Sequence, residues 1–257
     1  MNIGIIGFGN MGQAIAQGLL KTRAVQPFSI RASARHQDKL RSSCARLGVT
    51  LGTNQEVARD SDFIILTIKP WQVEEVLAEI GEHIRSKPVM SVASGIPFDK
   101  LSALLPGGRC LCCIPNTPVA VGRGIIICEE KHSFTPQDME AFTALFERVA
   151  LILFLDDKQL SAASTIAGCG PAFAAMFLEA LGDAGVKHGV KRDVAYRIAA
   201  RMMEGTAALH LETNQHPGQM KDSVCSPGGT TIRGVSALEE NGFRHAVIAA
   251  VDAVKKS

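Results

Sequence analysis

Along the first 157 residues, short apolar runs alternate with stretches whose apolar positions recur at helical spacing. NIGIIG (2–7), FSIRAS (28–33), FIILTI (63–68), PVMSVA (88–93) and RCLCCIP (109–115) are rich in β-branched and aliphatic residues, as strands covered on both faces require. Helical spacing fits between them, for example over 11–20 and 38–47, and two further runs, GIIIC (124–128) and ALILFL (150–155), flank a helical stretch over 136–148. Strand alternating with helix predicts a mostly parallel sheet of the Rossmann type, an α/β arrangement. Beyond Asp157 the strand signal stops. Residues 158–257 read as helix after helix, with Gly168-Cys169-Gly170-Pro171, Gly189 and Ser226-Pro227-Gly228-Gly229 as punctuation. A change of periodicity, rather than a flexible tether, thus separates a sheet domain (1–157) from an all-helical domain (158–257).

Composition narrows the class. Of the 257 residues, 46% are apolar and 20% charged, enough to bury a core and too few charges for disorder. The net charge is +2 and the Lys and Arg are scattered, so nothing points to nucleic acid or an anionic membrane as partner. The seven cysteines are odd in number, and the one CxxC spacing, Cys110 to Cys113, falls inside the apolar run RCLCCIP, which fits buried reduced thiols of a cytoplasmic protein better than metal ligands. The uncharged stretch 159–178 has membrane length, but its Ser, Thr, Gly and Pro residues favour a helix buried against other protein. The first basic residue is Lys21, so no secretory signal is expected.

The first chemistry-bearing motif is Gly7-Phe8-Gly9-Asn10-Met11-Gly12, which follows the first strand and opens the first helix. In that context GxGxxG is a dinucleotide fingerprint: glycines allow the tight turn and the close approach of a pyrophosphate, and the helix N-terminus supplies a positive field. NAD sites place an acid about 20 residues further on, yet no acidic residue precedes Asp38. Ser33 and Arg35 stand there instead, a hydroxyl and a guanidinium suited to a 2′-phosphate, so NADPH is the expected cofactor, with NADH the alternative. Two strand-end loops, Thr67-Ile68-Lys69-Pro70 and Ile114-Pro115-Asn116-Thr117-Pro118, lie where ligands of open α/β sheets bind and are expected to border the nicotinamide; on local grounds Lys69 also reads as a surface charge and the prolines as strand terminators. Trp71 reads as packing rather than a ligand stack. Pro171 is expected to start or kink a helix.

Taken in order, GFGNMG, IKP (68–70), PNTP (115–118), GCGPAF (168–173) and SPGGTTI (226–232) resemble pyrroline-5-carboxylate reductases from end to end. The resemblance implies a Rossmann domain followed by an all-helical dimerisation domain, and reduction of (S)-1-pyrroline-5-carboxylate to L-proline with NAD(P)H, the last step of proline biosynthesis. It implies that the SPGGTT loop, with Ser226, Gly228, Gly229 and Thr230, binds the substrate carboxylate, and that Thr231 contacts the ring nitrogen as the catalytic residue. Cys169 stands where the family commonly carries Ser.

The loop suits such a substrate physically. It lies at an expected helix start, where unpaired amides and the helix dipole favour an anion; a helix cap without a ligand reads equally well from the loop alone. Between Lys158 and Lys187 there is no Lys, Arg or His to serve as proton donor to a carbonyl oxygen, whereas an imine needs none. Alanine-rich segments over 198–203 and 246–254 suit subunit packing, so a homodimer or higher homo-oligomer is expected. Two other functions share these features: a related NADPH-dependent imine or ketone reductase, and a non-catalytic NADP(H)-binding regulatory protein.

Overall fold

The structure, a computed structural model, describes residues 1–255. Two compact units divide after Gly168. The first contains eight strands: β1 (Ile3–Ile6), β2 (Ile30–Ser33), β3 (Thr50–Leu51), β4 (Phe63–Leu66), β5 (Pro88–Ser91), β6 (Arg109–Pro115), β7 (Gly124–Glu129) and β8 (Ala150–Leu155). They form one sheet in the order β3-β2-β1-β4-β5-β6-β7-β8, parallel at every pairing except β6–β7. Helices α1 (Asn10–Lys21), α2 (Gln37–Leu47), α3 (Asn54–Asp60), α4 (Val73–Ile84), α5 (Phe98–Leu104) and α6 (Pro136–Phe146) connect the strands.

Successive strand residues feed opposite faces. Ile3, Ile5, Phe63 and Ile65 join a core with Ile15, Leu19 and Phe142 on one face. Ile6, Ile64 and Leu66 join Val57, Leu77 and Ile80 on the other. Both faces are therefore dry, which explains strand sequences that are apolar at every position rather than at every second one. The seven apolar runs read from the sequence all contain strands. β3 was not anticipated: it has two residues, both exposed, and so leaves no apolar run.

The Gly168–Pro171 segment departs from expectation. It does not start a helix, because α7 begins at Asp157 and continues to Lys187 with Pro171 inside it. Proline has no N–H, so the carbonyl four residues earlier, that of Ala167, loses its helical donor. Asn116 supplies one: its Nδ2 donates to the Ala167 carbonyl at 3.0 Å. The other end of the same amide, Oδ1, accepts the N–H of Ile125 in β7 at 2.8 Å, and Asn116 is only 5% exposed.

The second unit continues α7 and adds α8 (Arg192–Thr213), α9 (Pro217–Ser223), α10 (Thr230–Glu240) and α11 (Phe243–Lys255). Little of it is buried within the chain. Met176, Ile198, Met202, Leu211 and Ile248 are exposed. α7 is long and apolar enough to cross a membrane, with a mean hydropathy of 1.4 over an 18-residue window of which 11% is buried. The cysteines carry no disulfide: five are buried and Cys169 and Cys225 partly so. Burial pushes the Cys112 and Cys113 thiols well up.

Two outcomes follow from these contacts. Asn116→Ala leaves two buried groups unpaired and should lower stability by about 2–4 kcal/mol. In a Pro171→Ala background the restored helical N–H should make that loss smaller by about 1 kcal/mol; denaturant titration of the four-member cycle checks this, and strict additivity would remove the link. The Glu129 carboxyl is raised, first by burial and then by Asp157 and Asp99, against the pull of the Phe98 N–H that it accepts and of Lys131. Its folded pKa lies above the unfolded value of about 4.3, so its ionisation weakens the fold as pH rises. Glu129→Gln, which keeps the acceptor, should raise the unfolding midpoint at pH 8 and leave it unchanged below about pH 4.

Candidate functional site

At the carboxyl end of β1 the chain turns at Gly7, whose φ is +99°. The N–H groups of Gly7 and Phe8 both donate to the Ser33 carbonyl at the end of β2, each at 2.9 Å. From the other side Thr67, just past β4, donates its hydroxyl to the Gly7 carbonyl at 2.6 Å. A Cβ on Gly7 or Gly12 would stand 2.8 Å or less from atoms of Thr67 or Ile68, so both positions require glycine. The turn delivers α1 with Gly9 as its N-cap, no capping side chain and no acid in its first turn. The leading amides of α1 are thereby left for an anionic ligand.

A cavity of about 720 Å³ opens over this turn. Gly7, Gly9 and Asn10 line it. Gly12 is buried in the helix and Met11 packs against the core, so these two shape the turn from behind. On the β2 side Ser33 and Arg35 line the cavity, joined by His36 and Lys39. Ser33 is 2% exposed and its hydroxyl donates to Asn54 Oδ1 at 2.7 Å. Asn54 Nδ2 in turn donates to Glu79 Oε2 at 2.7 Å, which fixes the amide's orientation. Arg35, His36 and Lys39 are exposed, and no acidic side chain among the described residues pairs with them.

On the β4 side Lys69 lines the cavity, its backbone N–H held by Gln72 Oε1 at 3.2 Å. Pro70 opens a 3-10 turn, Pro70–Gln72, and supports the rim from outside the lining. Trp71 is 76% exposed and faces the cavity, which overturns the expectation that it packs. Asn116 does not line the cavity; its amide is engaged with Ala167 and Ile125. Sequence reasoning missed Asn54 and Glu79, and placed Thr67 in a ligand-bordering loop without its bond to Gly7. Only Asn54 left a signal: Thr53 and Glu56 form a capping box that marks the start of α3 at this residue. Unpaired basic groups at the end of β2 and free helix amides together fit a dinucleotide bearing a 2′-phosphate.

In the second unit, Gly228 has φ +68° and Gly229 donates its N–H to the Ser226 carbonyl at 3.0 Å, closing a turn. Gly229 is the N-cap of α10, which has no capping side chain and no acid in its first turn. Ser226, Thr230 and Thr231 are exposed around this uncapped start.

Residues 157–257 match the family model described as pyrroline-5-carboxylate reductase dimerisation, and residues 2–95 the one described as NADP oxidoreductase, coenzyme F420-dependent. The pyrroline-5-carboxylate reductase of Treponema pallidum is 45% identical over 263 aligned positions that cover all of both chains. The chain belongs to the pyrroline-5-carboxylate reductase family. The enzyme of that name from Methanosarcina acetivorans is 37% identical, over 97% of this chain and 93% of its own. Among solved structures, the Plasmodium falciparum pyrroline carboxylate reductase with NADP bound superposes with a TM-score of 0.85 at 28% identity, covering 98% of this chain and 95% of that one. The full length of this chain thus carries the architecture of the family, a mostly parallel sheet followed by a helical region.

The unpaired guanidinium generates a direct test. With the 2′-phosphate at the exposed Arg35, Arg35→Asp should weaken NADPH relative to NADH by about ten- to hundredfold. Titration with both dinucleotides reads the ratio; an unchanged ratio would place the phosphate elsewhere.

Proposed function

We infer that this protein reduces (S)-1-pyrroline-5-carboxylate to L-proline with NADPH, NADH being the alternative donor. The observation that carries this reading is identity of 45% across the whole length of a reductase of that name, together with an intact SPGGTT at an uncapped helix start. When bound, the reduced dinucleotide supplies the hydride that the imine carbon accepts.

The chain's own residues bind and orient. The glycine turn with the leading amides of α1 holds the pyrophosphate, and Arg35 the 2′-phosphate, with Lys69 and Asn10 on the flanks. The leading amides of α10 after Gly229, reached across the bare Gly228-Gly229 turn, hold the substrate carboxylate with the hydroxyls of Ser226 and Thr230 and without a dedicated Arg. The Thr231 hydroxyl bonds the ring nitrogen and fixes its position. An unperturbed Thr is a poor acid, so alignment rather than proton transfer is its main contribution. No Lys, Arg or His lies between Lys158 and Lys187. This suits an imine, whose nitrogen takes its proton far more readily than a carbonyl oxygen does.

The domain assignment that accompanies this reading is a cofactor domain over 1–157 and a substrate-binding and dimerisation domain over 158–257. The exposed apolar faces of the helical region, Ile198 and Ile248 among them, are covered by a second copy of the chain in a homodimer or higher homo-oligomer. Seven cysteines without a disulfide support a location in the reducing cytoplasm.

A substrate panel tests the assignment. Turnover should be highest with pyrroline-5-carboxylate, lower with a six-membered cyclic imine carboxylate and absent with short 2-keto acids; preference for a keto acid would reject it. Thr231→Ala should lower turnover about tenfold or more while leaving NADPH affinity within about twofold. Unchanged turnover would take the role from Thr231.

A further inference from the structure

Tryptophan side chains are ordinarily among the more buried in a fold, because the indole offers a large apolar area. Trp71, the only tryptophan of the chain, is 76% exposed. The apolar residues that follow it are buried: Val73 is 1% exposed, Val76 7% and Leu77 3%. The loop holds it outward, since Pro70 sets the first position of the 3-10 turn and Gln72 Oε1 clasps the Lys69 N–H. Such exposure calls for a flat, apolar partner that the chain does not itself provide.

The cavity that Trp71 lines shows which partner. Its walls come from the ends of β1, β2 and β4, from the segment around β3 and from α2 and α4; nothing from the loops after β5 or β6 contributes. In the strand order β3-β2-β1-β4 the loops after β2 and β4 stand on opposite sides of the glycine turn. A dinucleotide whose pyrophosphate lies over that turn, and whose 2′-phosphate meets Arg35, therefore puts its adenosine half into this cavity and its nicotinamide half toward the β5 and β6 loops. Phe8, the other large aromatic in the lining, is 3% exposed and offers no face.

We propose that Trp71 is a cofactor-affinity determinant that stacks its indole on the adenine base of the dinucleotide. This rests on the reading of the cavity as an NADP(H) site. The contact is made to a part of the cofactor that does not react, so it acts on binding and leaves the hydride step untouched.

Because no other tryptophan is present, indole fluorescence reports this contact alone. Adenosine 2′,5′-bisphosphate, which does not absorb indole emission, should quench it saturably, and oxidised nicotinamide mononucleotide should not. Calorimetric titration of Trp71→Ala should show about tenfold weaker binding of adenosine 2′,5′-bisphosphate and NADPH. Trp71→Phe, which keeps a ring, should recover most of the affinity. If NADPH binds calorimetrically while the bisphosphate leaves the fluorescence unchanged, or if Trp71→Ala binds as tightly as the parent, the stacking is refuted and the NADP(H) reading stands. If the mononucleotide alone quenches, the indole faces the nicotinamide half and the proposal is likewise overturned. If no dinucleotide binds the unaltered protein, both readings fall together.

Discussion

Everything at the cofactor end depends on one turn of backbone that cannot carry a side chain. At Gly7 the chain leaves the central strand in a left-handed conformation, pinned by the Ser33 carbonyl on one side and the Thr67 hydroxyl on the other. Those two attachments bind the ends of β1, β2 and β4 into a single platform. The platform decides where the first amides of α1 point, how deep the cavity is and which loops form its walls. A side chain at this corner would push the β4 loop away, and the rim residues Lys69 and Trp71 would move with it.

The same physics is used twice in the chain. Both α1 and α10 begin at a glycine with no capping side chain and no acid in the first turn. In each the unpaired amides suit an anion. The surroundings differ. Around α1 the ligand is large and doubly charged at its 2′ end, and Arg35, His36 and Lys39 are left without carboxylate partners. At the start of α10 the exposed hydroxyl residues are the small Ser226, Thr230 and Thr231.

Most of the sheet was legible in the sequence because its strands are dry on both faces, and runs such as FIIL or GIIIC have no polar position to blur them. β3 was invisible for the opposite reason, being two exposed residues at the sheet edge. Among site residues, those whose contribution is a glycine conformation or an unpaired charge could be read directly. Those that act through a partner distant in sequence could not: Thr67 matters only because Gly7 lies beside it, and Glu79 only because it holds Asn54. Trp71 was misread because an indole is normally a core residue, and nothing local shows that a proline turn keeps it outside. Of the two readings of Pro171, the helix start failed because α7 begins at Asp157, and the residue that compensates for a proline inside the helix lies on another strand's loop.

That compensation has a consequence for how the family's sequences can change. The proline in α7 and the amide after β6 answer one another across two segments, one lacking a proton and the other lending it. Losing Asn116 while Pro171 stays strands a carbonyl inside protein. Drift at these two sites is therefore not independent: a lineage can part with the asparagine safely only after the proline has gone, so substitution histories at the two positions should be correlated and ordered.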